Sequence, residues 1–217
     1  MTNIILIRHG QTEWNRSERF RGHADVPLDK IGLMQADATG KRIAAQWKPD
    51  AVYAGPLSRT FNTAEAMARS TSLTVQIEPD LIDVDCGDWQ GLTPDEVSRR
   101  WPTEFQAYLH SPGKFRFPGG EALEMARLRA MKCVDGLIAR YPGQTMVLVS
   151  HTALNRLILL SALGLDSSSF WRIRQDTCAI NVFEVEAGNF TLILLNETSH
   201  LLSISASHVP IGKSKTV

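Results

Sequence analysis

Two aliphatic runs, one near each end of the chain, stop at a histidine. The first reads Ile4-Ile5-Leu6-Ile7 before Arg8-His9-Gly10, and the second Met146-Val147-Leu148-Val149 before Ser150-His151-Thr152. Runs this short and uniformly apolar suit strands buried on both faces, as in a parallel sheet. Open α/β sheets place their ligand crevice outside the carboxyl ends of the strands. Two such strands therefore bring two imidazoles to one edge, where both face a single ligand. One Arg-His pair alone would suit a buried, hydrogen-bonded histidine beside a surface arginine equally well. The second strand-end histidine turns the reading toward a site.

A third junction, Tyr53-Ala54-Gly55-Pro56-Leu57-Ser58-Arg59-Thr60, ends a strand and starts a helix. Arg59 then lies in the first turn, beside backbone N–H groups that no helical carbonyl satisfies. Arg8, Arg59, His9, His151 and a helix N-terminus make a local cationic nest. Guanidinium binds phosphate oxygens in pairs, so the nest suits a dianionic phosphate. The rest of the chain is balanced, with 23 basic and 23 acidic residues. That excludes the broad basic surface that nucleic acid requires.

The alternation of elements predicts an α/β/α sandwich on a mostly parallel sheet. Strands are expected at Asn3–Arg8, Ala51–Ala54, Thr74–Glu78, Thr145–Ser150, Ala179–Val185 and Phe190–Leu195, the last two paired around Gly188-Asn189. Helices are expected at Lys30–Trp47, Leu57–Ser70, Glu121–Tyr141 and Ala153–Leu163. The first of these carries Leu33, Ala36, Gly40, Ile43, Ala44 and Trp47 on one face. Residues 79–120 form loops and short helices, a cap-like excursion above the sheet, with a helix start at Thr93-Pro94-Asp95-Glu96. The 217 residues suit one domain, with a loose tail at 212–217.

Three widely spaced cysteines without a C-x-x-C pair fit a reducing compartment. Too little chain precedes Arg8 for a signal peptide, and no stretch approaches the ~20 apolar residues of a membrane span. The cytoplasm is the expected address, with no membrane partner; a homodimer stays open. No metal-ligand spacing or P-loop is visible, so neither metal nor cofactor is expected.

Taken in order, Arg8-His9-Gly10-x-Thr12, Asn15, Arg21-Gly22, Pro56-Leu57-x-Arg59, Gly87-x-Trp89-x-Gly91, Gly119-Gly120-Glu121 and Ser150-His151 resemble the histidine phosphatase superfamily. The similarity is to the branch that holds the cofactor-dependent phosphoglycerate mutases, and it runs from residue 3 to about 200. It implies the mutase-like sandwich fold and a phosphatase acting on a small phosphorylated metabolite. It also implies His9 as the nucleophile forming a phosphohistidine, with Arg8, Arg59 and His151 holding the transferring group. Gly10, Thr12, Asn15, Arg21, Gly22 and the Thr152 N–H are implied phosphate or substrate contacts. His9 must be neutral to attack, and His151 is more useful as a cation, so their environments are expected to differ.

The family's general acid is usually the Glu of Leu-x-Glu-x-x-x-Gly-x-Trp-x-Gly. Here the segment is Leu81-Ile82-Asp83-Val84-Asp85-Cys86-Gly87-Asp88-Trp89-Gln90-Gly91, so Asp83 takes that place, one methylene shorter. Asp85 or a bridging water is the alternative acid. Gly55, Ala122 and Thr152 also depart from the family's usual Ser, Ser and, in mutases, Gly. Trp14 and Trp89 line a substrate pocket or pack in the core. Glu121 orients a site arginine or holds the start of the long helix. His23, His110, His200 and His208 match no catalytic position.

Against a mutase stand the short chain, Ser-His-Thr in place of His-Gly-Asn, and no Glu-Arg-His-Tyr-Gly stretch. Ser150-His151-Thr152, Phe170-Trp171 and Leu195-Asn196-x-Thr198-x-His200-Leu201 look most like the metal-independent phosphoserine phosphatases. Ribazole phosphatases, broad-specificity phosphatases and a catalytically weakened phospholigand-binding module are the alternatives.

Overall fold

The structure, a computed structural model, describes residues 1–205; the expected tail at 212–217 and His208 lie outside the described residues. Six strands form one sheet: β1 (Thr2–Arg8), β2 (Ala51–Ala54), β3 (Val75–Ile77), β4 (Thr145–Ser150), β5 (Ile180–Glu186) and β6 (Asn189–Glu197). Their spatial order is β3-β2-β4-β1-β5-β6. The β3-β2, β2-β4 and β4-β1 pairs are parallel, whereas β5 runs antiparallel to β1 and to β6. The expected mostly parallel sheet is what forms.

Alternation along each strand sorts the core into two layers, because successive side chains point to opposite faces. Ile5 and Ile7 pack with Val147, Val149, Ile43 and Met67, under α2 (Lys30–Gln46) and α3 (Ser58–Thr71). Ile4 and Leu6 pack on the other face with Leu148, Val134 and Leu157, under α6 (Leu123–Arg140) and α7 (Thr152–Ala162).

The excursion joins this second layer. Its short helices are α4 (Pro94–Arg100) and α5 (Pro102–His110), and α4 starts on the expected Thr93–Glu96 capping box. Trp89, Phe105, Tyr108, Phe115 and Phe117 pack into the same cluster. Phe115 and Phe117 flank Arg116 and both turn inward; each such burial stabilises by ~1.5–3 kcal/mol relative to exposure.

Three expectations need correction. Leu33 does not belong to the buried face of α2: it is 52% exposed, and the buried positions are Gly32, Gln35, Ala36, Thr39, Gly40 and Ile43. The backbones of α2 and α3 approach too closely for large side chains, since a Cβ on Gly40 would sit 2.5 Å from the Ala66 carbonyl oxygen. The β5-β6 turn is one residue earlier than expected. Ala187 and Gly188 carry the positive φ angles (49° and 80°), and Glu186 pairs with Asn189. A two-residue hairpin of this hand requires φ above zero at both turn positions. A one-turn helix, α1 (Glu13–Arg16), also follows the first histidine, where no element was foreseen.

Two of the family departures have local explanations. At Gly55 a Cβ would meet the Leu81 carbonyl oxygen at 2.6 Å, so the loop carrying Asp83 packs directly on the strand end. Ala122 is the N-cap of α6, in extended conformation and with no side-chain cap. Restoring a hydroxyl there satisfies an orphan N–H of the first turn. Ala122→Ser is expected to stabilise the fold by about 1 kcal/mol, read from urea denaturation as a raised midpoint at unchanged slope.

Candidate active site

Pairing of β1 with β4 sets Arg8 opposite Ser150, so the next residues of both strands, His9 and His151, leave the sheet side by side. Their ring centroids are 5.3 Å apart. The two imidazoles are told apart by their hydrogen bonds. His9 Nδ1 lies 2.7 Å from the Gly10 carbonyl oxygen, which only accepts. Nδ1 therefore carries the proton, and the lone pair is left on Nε2. His151 Nδ1 instead accepts from Arg59 Nε at 3.3 Å, which puts the His151 proton on Nε2.

Burial pushes the His9 pKa well below 6.5, with Arg59, Arg8 and Arg21 adding repulsion. Burial likewise lowers His151, followed by Arg59 and His9. The expected neutral-cation pair is thus corrected: both rings are neutral, because both share one arginine-rich, desolvated corner. What differs is the tautomer, an acceptor on His9 and a donor on His151.

Arg59, in the first turn of α3, is fully buried and reaches three partners besides His151. It donates to the carbonyls of Ala24 (2.6 Å) and Gly22 (2.8 Å), and its Nη2 is 3.4 Å from Asp83 Oδ2. Asp83 Oδ2 also lies 3.6 Å from His151 Nδ1. The missing methylene does not keep Asp83 from the cluster. Its loop is braced from behind. His23 Nε2 donates to the Asp83 carbonyl (2.9 Å), and Arg129 donates to the carbonyls of Asp80 (2.6 Å) and Ile82 (3.1 Å). Glu121 pairs with that arginine at 2.9 Å. Glu121 therefore orients an arginine that clamps the acid loop, rather than one within the site.

Above this group opens a cleft of about 440 Å³ lined by Arg8, Asn15, Arg21, Gly22, Asp83 and Thr152, among others. His9, Arg59 and His151 are wholly buried beneath it. Around the cleft, four buried donors have no partner among the described residues: Arg8 Nε, Arg21 Nε, His151 Nε2 and the Thr152 hydroxyl. The acceptor His9 Nε2 is also without one. Orphaned buried donors are costly, so their gathering at one point marks a place for an anion.

Two expected contacts are not of this kind. Thr12 is fully buried away from the cleft, and its hydroxyl donates to Asn15 Oδ1 (2.9 Å) while capping α1. The Gly10 N–H donates to the Thr63 hydroxyl at 3.0 Å, and its carbonyl holds His9. Both residues position the site and leave no group for the ligand. Asn15 spends Oδ1 on the same cap (2.9 Å to the Thr12 N–H), and so has only its Nδ2 end for the cleft. Trp89 is core, and Trp14 covers Gly91 at 3.4 Å from its ideal Cβ position; neither lines the cleft. His200 is 3.0 Å from the Thr39 hydroxyl and His110 3.1 Å from Gln106 Oε1, both away from the cleft.

Other lining residues were not foreseen: Arg156, Tyr108, Phe170, Trp171 and Gln175. Arg156 had a readable signal, since it follows Thr152 by one helical turn on α7 and so faces the same way. Among the described residues no group of three or more His, Cys, Asp or Glu side chains is placed to hold a metal. No helix among them is long and apolar enough to cross a membrane.

Known proteins give the context for this geometry. The family model described as histidine phosphatase superfamily (branch 1) matches residues 4–198. Phosphoserine phosphatase 1 of Hydrogenobacter thermophilus is 33% identical over 93% of this chain and 95% of its own. The metal-independent phosphoserine phosphatase of Arabidopsis thaliana is 29% identical over 94% of this chain and 85% of its own. A mutant phosphoserine phosphatase from Entamoeba histolytica, solved with phosphoserine, superposes with a TM-score of 0.86 at 26% identity, covering 93% of this chain and all of that one. The chain belongs to the histidine phosphatase superfamily, and it is a phosphoric monoester hydrolase.

Proposed function

We propose that this protein hydrolyses the phosphate monoester of a small metabolite, without metal, through a phosphohistidine on His9. The observation that carries the reading is the meeting of His9 Nε2, a free lone pair, with four unsatisfied donors from Arg8, Arg21, His151 and Thr152. A cleft of about 440 Å³ suits a ligand of metabolite size.

The steps follow from the residues. The phosphoryl group settles among the arginines and displaces Asp83 from Arg59. His9 Nε2 attacks phosphorus as the bond to the ester oxygen breaks. Positive charge gathers on the His9 ring, and its Nδ1–H···O bond to Gly10 strengthens in response. The donors of Arg8, Arg59 and His151 Nε2 offset charge on the equatorial oxygens, the main need of a loose phosphoryl-transfer transition state. Asp83 gives a proton to the departing alkoxide. Water then attacks the phosphohistidine, Asp83 takes its proton, and phosphate leaves from Nε2.

The test is turnover of p-nitrophenyl phosphate and of alkyl phosphates, with release of inorganic phosphate. Because the positive charge comes from side chains, activity is expected to survive EDTA and to be inhibited by vanadate, which adopts the pentacoordinate geometry of the transition state. Loss of activity on chelation, restored by Mg²⁺, contradicts the mechanism. Transfer of phosphate between substrate hydroxyls without net release identifies a mutase instead.

A further inference from the structure

In and beneath the cleft, every arginine but one is answered by a carboxylate. Arg8, Arg21 and Arg59 each feel the attraction of Asp83, and Arg8 that of Asp176 as well. Arg19 pairs with Glu96 (3.5 Å) and Arg174 with Asp176 (2.9 Å). Arg172 is exposed at the rim, where it favours the ionised form of Asp166. Arg156 is different. It is half-buried, and among the described residues it forms no ion pair. No carboxylate is among the groups that favour its charged form.

The side chain is nevertheless held firmly. Its guanidinium carbon lies 5.1 Å from the Phe170 ring centroid and 4.9 Å from that of Trp171. Its Nε donates to the Ile173 carbonyl at 2.7 Å. Trp171 is fixed in turn, its indole N–H donating to the Tyr108 carbonyl at 3.0 Å. With Nε committed, the two Nη groups have no protein acceptor among the described residues, on a side chain that lines the cleft. Arg156 also repels Arg8 across the same space. A desolvated cation kept in place beside like charges, with no counter-ion, costs free energy unless a ligand supplies the negative charge.

We infer that Arg156 binds a second anionic group of the substrate, a carboxylate, on the leaving-group side of the phosphate. This rests on the phosphatase reading above and narrows it to phosphate esters of small hydroxy acids or hydroxy amino acids. A carboxylate fits better than a second phosphate, because one guanidinium with its Nε already spent offers a single two-pronged face. Tyr108 lines the same cleft.

The experiment compares phosphoserine with phosphoethanolamine, which differ only by the carboxylate, in the wild-type protein and in Arg156→Gln and Arg156→Lys. Wild type is expected to favour phosphoserine in kcat/KM. In Arg156→Gln that preference is expected to fall by ~10–100-fold, mostly through KM, the scale of a lost charged hydrogen-bond pair. Arg156→Lys, which keeps the charge without the fork, is expected to lie between. Equal losses on both substrates would mean that Arg156 only holds the segment around Phe170–Ile173, and would overturn the inference. So would a wild-type protein that hydrolyses p-nitrophenyl phosphate but does not distinguish the pair; if Arg156→Gln fails to fold, the wild-type pair and Arg156→Lys decide. Preference for fructose 1,6-bisphosphate over both would assign the site to a second phosphate and overturn the carboxylate. A protein inactive on all four phosphates fails the phosphatase reading itself, a distinct result.

Discussion

Replacing His9 by Ala is expected to lower turnover by at least ~10⁴-fold on every substrate, because it removes the atom that bonds to phosphorus. The loss should not depend on the leaving group, since both good and poor esters must first meet His9 Nε2. His9 is wholly buried, so the variant leaves a small cavity, and the melting temperature must be measured beside the rate. A folded His9→Ala protein with near-wild-type turnover contradicts the assignment. His151→Ala should be damaging but less complete, for it removes one donor among several.

Asp83→Asn carries the second large effect, and here the leaving group decides. An alkoxide leaves poorly without a proton, so hydrolysis of phosphoserine is expected to slow by ~10²–10⁴-fold, the scale of general acid catalysis. The phenolate of p-nitrophenyl phosphate leaves unaided, and its loss should be much smaller. Asp83 sits 3.4 Å from Arg59 and 3.6 Å from His151 Nδ1, so it is near the reacting group despite its short side chain. Equal losses on both substrates would mean that Asp83 positions Arg59 or activates water in the second step. Asp85 is the other carboxylate considered, but its Oδ1 accepts from the Gly87 N–H at 2.9 Å and it does not line the cleft.

Much of this architecture was legible in the sequence, for identifiable reasons. A buried parallel strand is an unbroken apolar run with a sharply marked end, and that alone sets Arg8, His9 and His151 at one edge. Arg59 was placed by the strand-to-helix junction at Gly55-Pro56. The family pattern pointed to Asp83, whose reach only the structure reveals.

For other residues sequence gives the type and not the partners. Thr12 stands in the right motif, yet its hydroxyl is spent on capping α1. Gly10 is adjacent to the nucleophile, yet its N–H serves Thr63. Leu33 follows the helical period and still faces outward, since backbone approach, not apolarity, selects the buried face of α2. The spacing from Thr152 turns Arg156 toward the cleft, but its hold on Phe170, Trp171 and Ile173, 14 to 17 positions away, follows no local pattern.

The histidine charges show the same limit from another side. Chemistry suggests one neutral and one cationic ring. Packing puts both in a single corner with Arg8, Arg21 and Arg59, where burial first and repulsion second hold both neutral. The division of labour is then carried by which nitrogen bears the proton, and that depends on Gly10 and Arg59 as partners.

The covalent intermediate is the centre of the account and is directly measurable. Wild-type protein mixed with ³²P-phosphoserine and quenched within milliseconds is expected to retain one label per chain. The label should be lost in acid and stable in base, as a phosphorus–nitrogen bond is, and peptide mapping should place it on His9. A label that is stable in acid, that maps elsewhere or that persists in His9→Ala would contradict the account, as would hydrolysis at full rate with no labelled protein at any quench time.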